Sequence, residues 1–199
     1  MSRDGNASQG LIGPNAILQF LPVLDRFCGP VRRAQILAAA GIFDIPDGRS
    51  MIPETDAARL HRQIRIEEPA LAPTLAAKAG FETANYILAN RIPDLAQTVL
   101  KVLPRKPAAR ILSGAIEKHA WTFAGSGSFK VQTAWSFTIT NNPMVRGEVS
   151  GVPLCAWHTA VFERLYRVLV SPDCRCEETF CAAQGSGNTC HFKMSFRDA

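Results

Sequence analysis

Five of the six cysteines in this 199-residue chain fall between positions 155 and 190. In a reducing compartment such a cluster favours metal or redox chemistry over disulfides. Three of them have a spacing that a metal could use. Cys181 follows Glu178 by three residues, and a loop holding Gly185 and Gly187 returns the chain to Cys190. Cys155 sits near the start of the preceding helix and completes the set from another element. Zinc takes four tetrahedral ligands, and thiolates with one carboxylate satisfy it. On spacing alone the fourth ligand is open between Glu178, Cys174 and Cys176, and His158, one helical turn from Cys155, is a further candidate. His191 adjoins Cys190 but points to the opposite strand face. A carboxylate ligand makes the site harder and less suited to an iron–sulfur cluster. The same cysteines also read as ordinary buried thiols. A metal held entirely by protein side chains is structural, and here it pins the final strands to the helix.

A second group of residues suits a flat aromatic ligand. Trp121, Phe123, Phe129, Trp135 and Phe137 lie within seventeen positions of one another. His119 follows Leu112, Ala115 and Ile116 on the apolar side of a helix. There it serves either as an axial ligand to a central metal or as a core histidine bonded to a carbonyl. Arg105, Lys106 and Arg110 can meet acidic groups on a ligand or form a solvated helix face. No G-x-G-x-x-G follows a strand and opens a helix. Gly125-Ser126-Gly127 precedes a strand, so it reads as a turn.

The elements that position these groups follow from periodicity. Asn15 to Phe27 is apolar at helical spacing, and Gly29-Pro30 breaks it and starts a helix over Val31–Ala40. Residues 1–13 are polar, Gly-rich and loose, and residues 44–53 are a loop. Thr55 or Asp56 caps a helix to Glu68. Further helices run through Leu75–Asn90, Asp94–Leu103 and Pro107–Ala120, with prolines between them. Phe129, Val131, Thr133, Trp135, Phe137 and Ile139 alternate with mostly polar residues, which predicts one long half-buried strand. A helix over about Pro153–Val170 carries Cys155, Phe162, Leu165 and Leu169 on one face. In the last strand Cys190, Phe192, Met194 and Phe196 point one way, and His191, Lys193, Ser195 and Arg197 the other. The fold class is α+β: a helical N-terminal region over 1–104, then strands and a long helix over 105–199, the two forming one compact unit.

A hydrophobic fraction of 47% is enough for a sizeable core. The net charge of +5 suits acidic ligands. The basic residues are scattered without interleaved aromatics, which argues against nucleic acid. The first twenty residues do not read as a secretory signal, and no apolar run is long enough for a transmembrane segment. The expectation is a cytoplasmic protein.

The string Glu178-Thr179-Phe180-Cys181, a Gly-containing loop and Cys190-His191-Phe192 resembles the 4-vinyl reductase domain family, and Cys155 matches a cysteine that the family places on its last long helix. Gly13-Pro14-Asn15-Ala16-Ile17 and His119-Ala120-Trp121-Thr122-Phe123-Ala124-Gly125-Ser126-Gly127 look like the bacteriochlorophyll-biosynthesis branch of that family. The resemblance implies Cys155, Glu178, Cys181 and Cys190 as ligands of a structural zinc. It implies an α/β ligand-binding domain similar to vesicle-tethering (TRAPP) subunits and nitric-oxide sensor domains. It implies a magnesium tetrapyrrole as ligand, a divinyl protochlorophyllide whose 8-vinyl group (4-vinyl in older naming) becomes ethyl, with His119, Trp121, Phe123, Trp135 and Phe137 around it. Other bacteriochlorophyll-biosynthesis enzymes and a second copy of the chain are the implied partners, and the implied location is cytoplasmic, at the periphery of the photosynthetic membrane. The family name implies a reductase, whereas the residues, lacking a nicotinamide or flavin motif, argue for a carrier. Cys174 and Cys176 depart from the family pattern and compete with Glu178 for the fourth ligand position.

Overall fold

The computed structural model describes residues 10–185 and 187–196. The loose segment expected over residues 1–9, Ser186 of the loop before Cys190, and the outward Arg197 lie outside the described residues. The fold is α+β. A short strand β1 (Leu11–Ile12) leads into helices α1 (Asn15–Leu18), α2 (Phe20–Cys28) and α3 (Pro30–Ala39). Strand β2 (Ile52–Pro53) pairs antiparallel with β1 and precedes α4 (Glu54–Glu67), α5 (Ala72–Asn90), α6 (Asp94–Val102), α7 (Arg105–Lys118) and α8 (Trp121–Ala124). Strands β3 (Ser128–Thr133) and β4 (Ser136–Thr140), helix α9 (Ala156–Leu169), and strands β5 (Cys174–Phe180) and β6 (Thr189–Phe196) complete it.

Several local expectations shift. The first helix is two, α1 and α2, meeting at Gln19. The expected loop over 44–53 ends in β2. Pro53 holds the N-cap position of α4, so that helix starts before the Thr55 or Asp56 cap. Proline suits this edge because a helix leaves its first N–H groups unbonded in any case. Helix α7 begins at Arg105 rather than Pro107 and ends at Lys118, leaving His119 at its C-cap.

The largest correction concerns the alternating run 129–139. It is a hairpin, not one strand: Thr133 pairs with Ser136 across a two-residue turn, and Phe129 pairs with Ile139. A two-residue turn alone would set odd positions against even ones, on the same face. The register shifts between Val131 and Thr133, and this bulge restores parity, so Val131 faces Phe137. The period-two pattern therefore passes through the turn uninterrupted and reads as one strand.

The four long strands form an antiparallel sheet in the order β3-β4-β6-β5. Helix α9 packs on β5 and lies along α5. The helices approach closely at Gly80, where a Cβ would overlap the Trp157 carbonyl oxygen. Phe162 of α9 centres the apolar layer between helix and sheet, with Phe123, Phe129, Phe137 and Phe192 at 5.3–5.8 Å between ring centroids. Edge-to-face and tilted pairs of this kind are the favoured aromatic geometry. Tyr166, one turn on, donates its hydroxyl to the Ala134 carbonyl at 2.7 Å, so the hairpin turn is fastened to the helix. None of the described helices is long and apolar enough to cross a membrane.

Candidate metal centre

Three elements meet at the buried end of α9. Cys155 occupies the N-cap position of that helix. Glu178 lies on β5, on the face shared with Cys174 and Cys176 and turned toward α9. Cys181 follows β5 and starts a single 3-10 turn over Ala182–Gln184. Cys190 opens β6 and shares the inward face with Phe192 and Met194, as alternation requires.

The ligand atoms of Cys155, Glu178, Cys181 and Cys190 all lie within 4.8 Å of one another, and all four residues are buried. The Cys155 and Cys190 sulfurs are 3.5 Å apart, and Cys190 and Cys181 4.0 Å. Tetrahedral zinc with bonds of about 2.3 Å holds its sulfurs about 3.8 Å apart, so the spacing fits such an ion. Of the alternatives for the fourth position, Glu178 is in the cluster and Cys174, Cys176 and His158 are outside it. Cys176 turns its backbone N–H to Glu163 Oε2 at 3.0 Å.

The surroundings favour sulfur in its anionic form. Asn142 Nδ2 donates to the Cys155 sulfur at 3.3 Å and also faces Cys190 Sγ at 3.9 Å. The Ala182 N–H donates to Cys190 Sγ at 3.4 Å. Cys155 also stands at the positive end of the α9 dipole. The Glu178 carboxylate is half used: Oε2 accepts the Cys155 N–H at 2.7 Å, and Oε1 is buried without a partner among the described residues. An unpaired buried carboxylate oxygen is costly, and a cation satisfies it.

The acid–base state of the cluster follows from burial and crowding. Desolvation raises the Cys155 thiol well above its ordinary value and pushes Glu178 up to about 8. Cys181 moves down because the Cys155 and Cys190 thiols both donate to it. The Cys155 hydrogen bond lowers Cys190, but Cys181 and burial outweigh it and push Cys190 up to about 12. Four acidic groups packed together share few negative charges in the absence of a cation. A divalent ion replaces their protons, so binding releases protons. The chemical reading of the donor set is a closed site for a thiophilic divalent ion.

The aromatic residues are placed less uniformly. Phe137 is buried in the sheet–helix layer and Phe123 is half-buried against Phe129. Trp135 is half-buried, 4.7 Å from Phe196 and 5.9 Å from Tyr166 between ring centroids. Trp121 is exposed, and so is His119, whose Nδ1 bonds the Ala115 carbonyl at 2.8 Å. The carbonyl partner expected of His119 is present, but the imidazole is not on the buried face of α7, because the helix ends one residue before it. Trp135 and Phe137 line a cavity of about 290 Å³ on the outer face of the sheet, with Gln132, Thr138, His191 and Lys193.

Sequence reasoning overlooked three residues. Asn142 appeared only as part of the Asn-Asn-Pro strand terminator, and nothing local announces an amide aimed at two distant sulfurs. Glu54 and Arg146 were also missed. Glu54 is buried and accepts the Ser126 N–H and hydroxyl, each at 2.6 Å, and the Arg146 guanidinium at 3.2 Å. The Gly125-Ser126-Gly127 turn is thus bound to a carboxylate of α4. Glycine is needed at 125, where φ is +57° and a Cβ would overlap Glu54.

Residues 135–196 match the 4-vinyl reductase domain, and this stretch holds all four clustered ligands. The solved structures with a similar fold include an Fe(II) unliganded H-NOX protein from K. algicida, with a TM-score of 0.60 at 11% identity, covering 94% of this chain and 98% of that one. The T. tengcongensis H-NOX gives a TM-score of 0.55 at 8% identity, covering 94% and 97%. The chain is 49% identical to the bacteriochlorophyll synthase 23 kDa chain of Cereibacter sphaeroides over 96% of its own length and 93% of the relative's. It is 44% identical to the protein of that name from Rhodobacter capsulatus, over 92% and 86%. The chain therefore belongs to the family of the bacteriochlorophyll synthase 23 kDa chain.

Proposed function

We propose that this chain acts in bacteriochlorophyll biosynthesis as a tetrapyrrole-binding accessory protein, presenting a divinyl magnesium tetrapyrrole of the protochlorophyllide type for reduction of its 8-vinyl group. The observation that carries this reading is the 49% identity to a bacteriochlorophyll synthase chain over nearly the whole length of both proteins. The pigment is flat and apolar with acidic side chains, and such a ligand needs aromatic walls and a few polar anchors. Trp135 and Phe137 provide walls on the outer sheet face, with His191 and Lys193 beside them. Trp121 and Phe123 extend the aromatic surface, and the exposed imidazole of His119 has Nε2 free of the helix for an axial contact. Residues 105–199 are the ligand-binding part, and residues 1–104 are its helical support.

The cluster of Cys155, Glu178, Cys181 and Cys190 holds a zinc ion in this reading. Zinc has no redox chemistry, so its contribution is to tie β5 and β6 to the start of α9. The Gly-rich turn at 125–127 points the same way, because its Ser126 N–H is bound to Glu54 rather than free to cradle a phosphate. Carriage rather than catalysis follows, with the other bacteriochlorophyll-biosynthesis enzymes as recipients and a location that is cytoplasmic and peripheral to the membrane. The rival reading makes the chain itself the bacteriochlorophyll 4-vinyl reductase (J protein), which the domain match over residues 135–196 favours. A further rival is a homodimerising interaction module.

The purified protein is mixed with divinyl protochlorophyllide, and the Soret band is followed without and with reduced nicotinamide. The expected result is a band shift at one pigment per chain with no conversion in either condition. Conversion to the ethyl product establishes the reductase instead. An unshifted band at protein excess removes the pigment from the proposal and leaves the interaction module.

A further inference from the structure

Helix α6 has two apolar faces. Leu100 is buried against the rest of the fold, while Leu95, Val99 and Val102 stand 77%, 45% and 77% exposed. The spacing of i, i+4 and i+7 puts these three within about 60° of one another around the helix, on the side away from Leu100. On α7, which packs against α6, Ile111 is 53% exposed. Solvent-facing aliphatics occur elsewhere, but not in this arrangement. Phe43 and Ile45 flank Asp44 and lie close to Asp47 in a loop, and Val149 follows Glu148.

The charge around this stripe is one-sided. Between Arg91 and Lys118 the sequence holds six cations (Arg91, Lys101, Arg105, Lys106, Arg110 and Lys118) against two anions (Asp94 and Glu117). The difference of +4 compares with +5 for the whole chain, so four-fifths of the net charge lies in this stretch. Arg105 is engaged, with Asp173 at 3.3 Å and over the Phe196 ring. Lys101, Lys106, Arg110 and Lys118 are exposed and, among the described residues, have no carboxylate within salt-bridge distance.

A helix with one aliphatic stripe, an unpaired cationic border and a second face anchored to a folded domain is the arrangement that lies in a bilayer interface. The stripe enters the boundary between headgroups and acyl chains, and Lys and Arg contact anionic headgroups. A protein partner would more often be met by aromatic anchors and paired charges of both signs. We propose that the α6–α7 surface is a docking site for a bilayer carrying anionic phospholipid, with Leu95, Val99 and Val102 inserted and Lys101, Lys106 and Arg110 on the headgroups. This is independent of whether the chain binds pigment. A single nine-residue helix inserts little apolar area, so both the stripe and the cations are required, and binding is reversible and salt-sensitive.

The test is co-sedimentation of the full chain with sucrose-loaded vesicles, either of phosphatidylcholine alone or with one-third phosphatidylglycerol. The expected result is binding to the anionic vesicles at low salt, at least tenfold weaker binding to neutral ones, and loss of most binding in 0.5 M salt. Leu95→Ser with Val102→Ser is expected to lower the anionic-vesicle affinity at least tenfold. Lys106→Gln with Arg110→Gln is expected to lower it similarly and to flatten the salt dependence. All four side chains are exposed, and unchanged circular dichroism confirms that the variants fold. Wild-type protein remaining in the supernatant with anionic vesicles overturns the proposal. So does full vesicle binding by both variants. Retained vesicle binding by the stripe variant together with loss of self-association assigns the surface to a second copy of the chain instead.

Discussion

The backbone N–H of Cys155 and the carboxylate of Glu178 are joined at 2.7 Å across the junction of α9 and β5, and the second oxygen of Glu178 is buried with no partner among the described residues. One bond aims the carboxylate, and the other oxygen stays available toward three sulfurs. This division of labour distinguishes a ligand from a carboxylate that merely caps a helix, where both oxygens usually face N–H groups or water.

The first prediction follows. Protein purified without chelator is expected to carry one divalent ion per chain by elemental analysis, with zinc the ion retained. Cys190→Ser is expected to abolish stoichiometric binding, because a neutral hydroxyl replaces a thiolate. Glu178→Gln is expected to weaken it by about 10-fold or more. Cys176→Ser should leave it intact, since Cys176 is outside the cluster. Removing the ion is expected to lower thermal stability, by about 3 kcal/mol when the ion is present at about a hundred times its dissociation constant. Equal metal content in wild type and Cys190→Ser would falsify the assignment.

How much of this site could be read from the sequence depends on the kind of information each residue carries. Cys190 was legible because strand alternation fixes its face with Phe192 and Met194. Cys155 was legible as a helix-start residue, although it caps α9 rather than lying within it. The choice of Glu178 over Cys176 was not legible from spacing, because both point inward on β5 and differ only in distance from the end of α9. The hairpin was hidden for a different reason. The bulge between Val131 and Thr133 preserves the parity of the apolar positions, so no break in the pattern marks the turn at Ala134 and Trp135. Residues that act through distant partners, such as Asn142 on the sulfurs and Glu54 on Ser126, have no local signature at all.

Glu54 leads to the second prediction. Both of its oxygens accept hydrogen bonds, Oε1 from the Ser126 hydroxyl and Arg146, and Oε2 from the Ser126 N–H. Glutamine has the same shape, but one of its two positions donates, so it must face a donor with a donor. Glu54→Gln is expected to destabilise the fold by about 2 kcal/mol in urea titration, the scale of lost bonds to a buried charged group. Metal content should be unchanged, because the metal cluster is built from other elements. A stability within about 0.5 kcal/mol of wild type, at the level of an ordinary surface change, would mean that the network does not hold the Gly-rich turn.

The third prediction concerns acid. His61 is buried between Phe20 and Trp157, with ring centroids at 4.7 and 5.8 Å, and its Nε2 lies 3.2 Å from the Ala16 carbonyl. A carbonyl can only accept, so the proton of the neutral ring is on Nε2. Desolvation lowers His61 to about 3, with Arg65 and His158 adding to the effect. The unfolded chain takes up this proton near pH 6.5 and the folded chain only near 3. The stabilising contribution of the neutral ring is therefore fully present above about pH 6.5 and is lost as the pH falls toward 3, at about 1.4 kcal/mol per unit. Between pH 7 and pH 5 this one group is expected to lower the unfolding free energy by about 2 kcal/mol. His61→Gln can still donate to the Ala16 carbonyl but does not titrate. The variant is expected to lose less stability than wild type over that interval, whatever its stability at pH 7. Urea titrations of both proteins at the two pH values measure the difference, and parallel losses would show that His61 is not kept neutral by its burial.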